Sequence, residues 1–395
     1  MSHQSLTSAE HLLDSFHEPL KEQLPTGIIE ATHSSGVHIQ EIAGFASRYN
    51  NKRHVLIASK LLGKYIPAKP SIVANAQQTL ASFFHANDRK TLFLGFAESC
   101  SGFGEGVFKE VLKKSPFLKD KAAYIHTTRQ FDIKTHSVSV AFKEEHSHAV
   151  NQVVLTPKDN DVRDVFFSAD TVVLIEDEIT TGKTMHNFLN EYLAKVNPNL
   201  KRVTILTLLD IRNVSRKVEL AASFPHIQFM THAMCASSLN FYKEKDNDIF
   251  KPRNEYSATP LTISENTGRM GIKYNESDLS QDLESLRLQG LDLSSPITVI
   301  GTSEFTNKAK EFGVYIEKMG VDVEMLSTTR APLKVGNAIK TKMTFSDHYG
   351  DGIEHYLYNY DTSRTPVFFY ENEEQAHLHS DLHAALGAFY IAENM

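Results

Sequence analysis

Cysteine is scarce: the 395-residue chain holds two, Cys100 and Cys235. Two thiols cannot build a disulfide framework, and their number fits a reducing compartment. No apolar run approaches the length that spans a bilayer, and Met1 to Glu10 are polar, without a signal-peptide core. The cytoplasm is the expected location, with no membrane partner. Excess positive charge is also missing. Lys and Arg total 41 against 48 Asp and Glu, a formal net charge of −7, so no bulk field draws the chain to nucleic acid. An anionic small molecule would have to be held by local amides and cations. The length allows two domains with separate cores, and the apolar and charged fractions, 41% and 23%, are those of a soluble globular protein.

The most specific stretch is 172–184, Val-Val-Leu-Ile-Glu-Asp-Glu-Ile-Thr-Thr-Gly-Lys-Thr. Its apolar start reads as a buried parallel strand that stops at Glu176 and Asp177. A turn of Thr180, Thr181, Gly182, Lys183 and Thr184 follows. Beyond it Met185, Phe188, Leu189 and Tyr192 recur at helical spacing, with Pro198 past the helix end. Carboxylates at a strand end accept hydrogen bonds from sugar hydroxyls, and amides at a helix N-terminus wrap a phosphate. The pattern therefore suits a ligand carrying both a diol and a phosphate. A Walker A loop would need glycine where Asp177 stands, so Gly182-Lys183-Thr184 is not a P-loop.

Elsewhere Leu92–Phe96, Ala122–His126 and Val203–Leu209 read as further strands, and 105–114 and 184–195 as helices. The alternation predicts an α/β fold with a mainly parallel sheet and helices on both faces. Residues 242–290 are polar and turn-rich, a linker or a surface excursion. Periodicity returns in strands Ile297–Ile300, Val321–Leu326 and Val367–Tyr370, with helices expected at 305–319 and about 374–390. The two parts echo each other. Leu94-Gly95-Phe96-Ala97-Glu98-Ser99 is matched by Ile300-Gly301-Thr302-Ser303-Glu304-Phe305, and Thr127-Thr128-Arg129 by Thr328-Thr329-Arg330. His146 follows Arg129 by 17 residues and His348 follows Arg330 by 18. Two related βα units are expected, with the acid–Thr-Thr-Gly loop in the first alone.

The 172–184 stretch resembles the phosphoribosyl-diphosphate (PRPP) loop of type I phosphoribosyltransferases. The chain as a whole resembles the phosphoribosyltransferase–TRSP fusion proteins of bacterial tellurite-resistance and stress gene clusters. Besides that loop, the likeness is carried by Ser59-Lys60-Leu61-Leu62-Gly63-Lys64-Tyr65-Ile66-Pro67, Gly95-Phe96-Ala97-Glu98 and Thr127-Thr128-Arg129. In the second half it is carried by Ser327-Thr328-Thr329-Arg330-Ala331-Pro332, Tyr356-Leu357-Tyr358-Asn359-Tyr360 and Tyr370-Glu371. Ala331 stands where the family usually has Ser. The resemblance covers all but the first ~25 residues. It implies an orotate-phosphoribosyltransferase-like domain with an N-terminal hood over 1–250, a linker or excursion over 251–290 and a smaller α/β TRSP domain over 291–395.

The function it implies is reversible transfer of phosphoribosyl between diphosphate and a nitrogenous base or related acceptor, with PRPP and a base or nucleotide as substrates. Mg²⁺ is the expected cofactor, held by Glu176 and Asp177 directly or through water. Glu176, Asp177 and Arg129 are the expected catalytic residues, Asp177 as a candidate proton acceptor. Glu176, Asp177, Thr180, Thr181, Gly182, Lys183 and Thr184 would bind PRPP, and Ala97, Glu98, Ser99, Cys100, Ser101 and Gly102 its pyrophosphate.

Lys143, His146 and His148 are assigned to a lid, and Ser59, Lys60 and Lys64 to a hood over the acceptor. Cys100 reads as a small filler residue. The His146-Ser147-His148 pair lacks a third ligand for structural zinc. His377, His379 and His383 read as surface or cap residues. Thr328, Thr329 and Arg330 end a strand, where they would bind an anion or serve as a cap or interdomain bridge. Related transferases imply a homodimer. The competing readings are a non-catalytic PRPP or nucleotide sensor and an independent hydrolase or nucleotide-processing activity in the C-terminal unit.

Overall fold

A computed structural model describes residues 19–49, 54–132, 134–143, 151–244, 263–264 and 267–393. Its largest sheet has seven strands, in the spatial order Leu20–Leu24, Gly27–Gly36, Gln228–Lys243, Arg202–Asp210, Thr171–Ile179, Thr91–Gly95, Ala122–His126. The last five are mutually parallel, and the first two join antiparallel at one edge. Numbered along the chain, the parallel strands run 2-1-3-4-5, a doubly wound order whose direction reverses between Thr91–Gly95 and Thr171–Ile179. Ligands of such sheets bind beyond the carboxyl ends of the strands at that reversal.

The parallel strands form because apolar residues fill both of their faces. Val172 and Leu174 point into a core with helices Asn160–Ser168, Lys183–Lys195 and Val214–Ala222. Val173 and Ile175 point into the opposite core, against helices Pro70–Ser82 and Cys100–Lys114. That second core does not stop at the first unit: Ile297, Val299, Phe312, Val323, Met325, Val367 and Phe369 belong to it. They line a second, four-stranded parallel sheet ordered Val323–Ser327, Ile297–Gly301, Thr365–Tyr370, Phe389–Ala392, or 2-1-3-4 along the chain. Fold class follows directly: α/β, mainly parallel, with a second smaller sheet and its helices.

Three elements differ from the sequence reading. The expected helix at 374–390 breaks into Glu373–Leu378 and Ser380–Leu386. Gly387, with φ 59°, ends the second piece, and Phe389–Ala392 then adds a strand beside Thr365–Tyr370. The expected helix at 105–114 starts earlier, at Cys100. Within the polar stretch 242–290, Leu279–Leu288 forms a helix and the Arg269 side chain is fully buried.

Helices Cys100–Lys114 and Asn307–Glu317 pack across the two units. A Cβ on Gly102 would collide with Thr306 Oγ1, so glycine lets the backbones meet. Lys109 Nζ lies 3.0 Å from both Glu105 and Glu311 carboxylate oxygens in this contact. Burial opposes the Glu311 carboxylate, but Lys109 and Lys310 outweigh it and hold the pKa at about 2. A depressed carboxyl stabilises the fold above its unfolded pKa and loses that contribution as pH falls toward the folded value. Acid unfolding of Glu311→Gln is therefore expected to lack a loss on the order of 3 kcal/mol that the wild type shows between about pH 4.5 and 2. Parallel denaturant titrations across that range measure the difference; equal acid sensitivity of the two proteins would contradict the assignment.

Candidate active site

Strand Thr171–Ile179 carries Glu176 and Asp177, both half-buried, to the carboxyl end of the sheet at the reversal point. Beyond Ile179 the chain turns through Thr180 and Thr181 into Gly182, whose φ of 82° caps helix Lys183–Lys195 in the left-handed region. Glycine takes that conformation without Cβ strain. Thr181 Oγ1 accepts from the Lys183 amide at 3.2 Å, Lys183 is exposed, and Thr180 and Thr184 are half-buried. The turn thus presents a helix N-terminus and two hydroxyls next to two carboxylates. Oxygens of Glu176 and Asp177 and the Cys100 sulfur lie within 4.8 Å of one another. Burial pushes the Cys100 thiol well above its ordinary pKa, and Asp177 and Glu176 push it further. It is a neutral thiol, without nucleophilic or hard-metal character.

On the other side of the reversal, Thr91–Gly95 leads into Ala97, Glu98 and Ser99. Cys100, Ser101 and Gly102 form the first turn of the following helix and are buried, where a loop was expected. The segment is fixed at its start: the Ala97 amide donates to Thr127 Oγ1 at 2.8 Å, and Gln152 Nε2 donates to the Ala97 carbonyl at 3.1 Å. Thr127 Oγ1 in turn donates to Gln152 Oε1. Lys64 Nζ reaches Ser99 Oγ at 3.2 Å and Glu98 Oε2 at 3.6 Å. Burial works against the Lys64 ammonium, but Glu98, Tyr65 and Asp177 outweigh it and raise its pKa, with Arg129 opposing. Lys64, Glu98, Asp177 and Arg129 therefore act within one electrostatic neighbourhood.

The other expected residues divide. Ser59 is buried, with its Oγ accepting from the Leu61 amide at 3.1 Å, and Lys60 Nζ donates to the Gln40 carbonyl at 2.6 Å. Lys64 alone of that group reaches the Ala97–Gly102 segment. Arg129 follows strand Ala122–His126, half-buried. Lys143 ends a hairpin, Val138–Lys143 with Asn151–Leu155, that packs on helix Lys183–Lys195 through Phe142 and Phe188 and through Asn187 Nδ2 to the Lys143 carbonyl at 2.9 Å. His146 and His148 lie outside the described residues. In the second unit, Thr328 Oγ1 accepts from the Ser303 amide at 3.0 Å, Thr329 Oγ1 donates to Glu98 Oε2 at 3.2 Å, and Arg330 pairs with Asp351. His379 and His383 are buried, and each ring lies 2.8 Å from Tyr370 Oη; His377 is exposed.

Two site neighbours escaped the sequence reading. Arg212, two residues past strand Arg202–Asp210, makes paired bonds of 3.0 and 2.9 Å to Asp210, and both side chains are only 1% exposed. Burial opposes the Asp210 carboxylate, but Arg212 and then Lys217 hold its pKa down. A Cβ on Gly182 would stand 3.4 Å from Arg212 Cδ, so this guanidinium backs the Thr180–Thr184 turn. The signal was Asp210-Ile211-Arg212 directly after a strand. Gln152 is the other, and nothing in the local pattern marks it.

A phosphoribosyl transferase family model matches residues 42–237, and the model of the TRSP domain found C-terminal to it matches 266–386. Among solved structures, adenine phosphoribosyl transferase from Trypanosoma brucei, in complex with AMP, pyrophosphate and ribose-5-phosphate, is 13% identical. That match covers 49% of this chain and 77% of that one, with a TM-score of 0.34. The adenine enzyme of Giardia lamblia, complexed with 9-deazaadenine, is 12% identical over 49% of this chain and 94% of its own, at 0.33. A hypoxanthine phosphoribosyltransferase from Staphylococcus aureus is 14% identical over 40% and 71%, at 0.22. No curated protein matches the chain. Among the described residues no helix is long and apolar enough to cross a membrane.

Proposed function

Because this chain belongs to the phosphoribosyl transferase family with a C-terminal TRSP domain, we propose that it transfers phosphoribosyl between PRPP and a nitrogenous base, in either direction. One observation carries the reading. Two carboxylates and a left-handed glycine turn into a helix N-terminus lie at the reversal of a doubly wound sheet, beside a second strand-to-helix segment.

In this reading the amides and hydroxyls of Thr180 to Thr184 hold the 5-phosphate, since a helix N-terminus supplies unpaired N–H donors and a favourable dipole. Glu176 and Asp177 accept from the ribose hydroxyls. As the bond from the anomeric carbon to diphosphate breaks, positive charge grows on the sugar ring, and these carboxylates stabilise it. The electron pair leaves with diphosphate, and the ring nitrogen of the base forms the new bond at that carbon. Asp177 takes the proton that the nitrogen loses. The Ala97–Gly102 segment and Arg129 receive the diphosphate; a guanidinium matches phosphate oxygens two at a time.

The close oxygens of Glu176 and Asp177 fit a hard cation such as Mg²⁺, whereas the neutral Cys100 thiol does not. Bound there, Mg²⁺ would neutralise diphosphate charge.

The test is diphosphate release from PRPP and Mg²⁺ by the full chain across a panel of purines and pyrimidines. Saturable release with at least one base is expected. Tight PRPP binding without release on any base would favour a ligand sensor instead.

A further inference from the structure

The two units agree in detail. Gly95 pairs with Ile175, and Gly301 with Phe369, so Glu371 occupies the register position of Asp177. The Thr127 amide donates to the Gly95 carbonyl at 3.0 Å, and that of Thr328 to Gly301 at 2.9 Å. The Ala97 amide donates to Thr127 Oγ1, and the Ser303 amide to Thr328 Oγ1. Thr128 bridges to Val153 in one hairpin, and Thr329 to Tyr356 in another, Lys342–Phe345 with His355–Tyr358. Glu98 and Glu304 are therefore counterparts, as are Thr128 and Thr329.

These counterparts meet across the units in both directions. Thr329 Oγ1 donates to Glu98, and Thr128 Oγ1 donates to Glu304 at 2.7 Å. The segment before the first unit's leading helix bridges the second unit's edge strand, Ala68 to Met325. The segment before the second unit's leading helix bridges the first unit's edge strand, Ile272 to Tyr124. Each segment carries a cation to its own unit's acid: Lys64 to Glu98, and Arg269 to Glu304. A contact in which i meets j and j meets i is the signature of an isologous dimer interface, here within one chain.

The copies differ at this cation. Arg269 spans both acids of the second unit, reaching Glu304 at 2.9 Å and Glu371 at 2.7 and 2.8 Å. Lys64 reaches Glu98 and Ser99, and Glu98 Oε1 is buried with no partner among the described residues. We infer that the C-terminal unit is a closed copy docked as a built-in partner, and that Thr329 is a positioning residue serving the first unit's site. Resting on the phosphoribosyl reading, its role is to hold the Glu98 carboxylate away from the diphosphate. A carboxylate released inside that segment would repel the ligand.

Calorimetric titration of the full chain with PRPP and Mg²⁺ tests this. Thr329→Val is expected to bind about tenfold more weakly than wild type. Thr329→Ser should stay within about twofold of wild type, because the donor remains. Adding Glu98→Gln to Thr329→Val should recover most of the loss, since no charge is left to restrain; a merely structural role would not be rescued by removing a charge. Unchanged affinity in Thr329→Val, or a double variant as weak as the single, overturns the inference while leaving the phosphoribosyl reading standing. If wild type does not bind PRPP, that reading falls, and the contact is judged by thermal unfolding. Thr329→Val should then lower the midpoint by roughly 1–2 °C, and by nothing further in a Glu98→Ala background. An equal loss in both backgrounds refutes it.

Discussion

Asp177→Asn is expected to lower turnover on PRPP by about a thousandfold or more while leaving the thermal midpoint near that of wild type. The substitution removes a charge and keeps the shape. Asp177 is half-buried at a strand end, and the substitution keeps its backbone bonds, the amide donating to Glu176 Oε1 at 3.3 Å and the carbonyl accepting from Thr207 Oγ1 at 3.3 Å. Chemistry, by contrast, depends on negative charge facing the developing cation and on a site for the released proton. Initial rates of diphosphate release, with unfolding followed in parallel, separate the two effects. Wild-type turnover in the variant would remove Asp177 from the mechanism.

The largest loss of stability is expected from Arg269→Met. The guanidinium is fully buried, bonded to Glu304, Glu371 and Thr128, and the two carboxylates are themselves only 4% and 1% exposed as side chains. Burial would favour a protonated Glu304, yet Arg269 and then His126 hold its pKa below the usual range. Removing the cation leaves two buried carboxylates uncompensated, a cost of about 3–5 kcal/mol. Neutralising all three members, with Arg269→Met, Glu304→Gln and Glu371→Gln, should recover a large part of it, because desolvated charge rather than lost packing causes the damage. Chemical denaturation of the full chain reads both variants. A single variant as stable as wild type would contradict the account of Arg269.

Local pattern carried much of the architecture. Runs such as Val172–Ile175 are apolar on both faces, which marks interior parallel strands, and the acid–Thr-Thr-Gly turn is contiguous, so its strand and helix could be read from one segment. The repeated Thr-Thr-Arg also exposed the relation between the units. What escaped were groups whose meaning comes from distant partners. Proximity in sequence groups Lys64 with Lys60, yet one side chain meets Glu98 and the other a surface carbonyl. Arg269 sat in a stretch whose polarity reads as solvent-exposed, because composition cannot register two carboxylates more than thirty residues away. Phe389–Ala392 continued a helical pattern, and only the open edge of Thr365–Tyr370 turns it into a strand. His379 and His383 had the spacing of an exposed helix face, but Tyr370 draws both rings inward.

The central claim is that one crevice, between the ends of Thr91–Gly95 and Thr171–Ile179, takes the activated sugar phosphate. Titration calorimetry of the full chain with PRPP and Mg²⁺ addresses it most directly. Saturable binding at one site per chain is expected, abolished or strongly weakened by Gly182→Val, which forces a β-branched residue into the left-handed turn. Absence of binding heat, or binding unaffected by that substitution, would contradict the account.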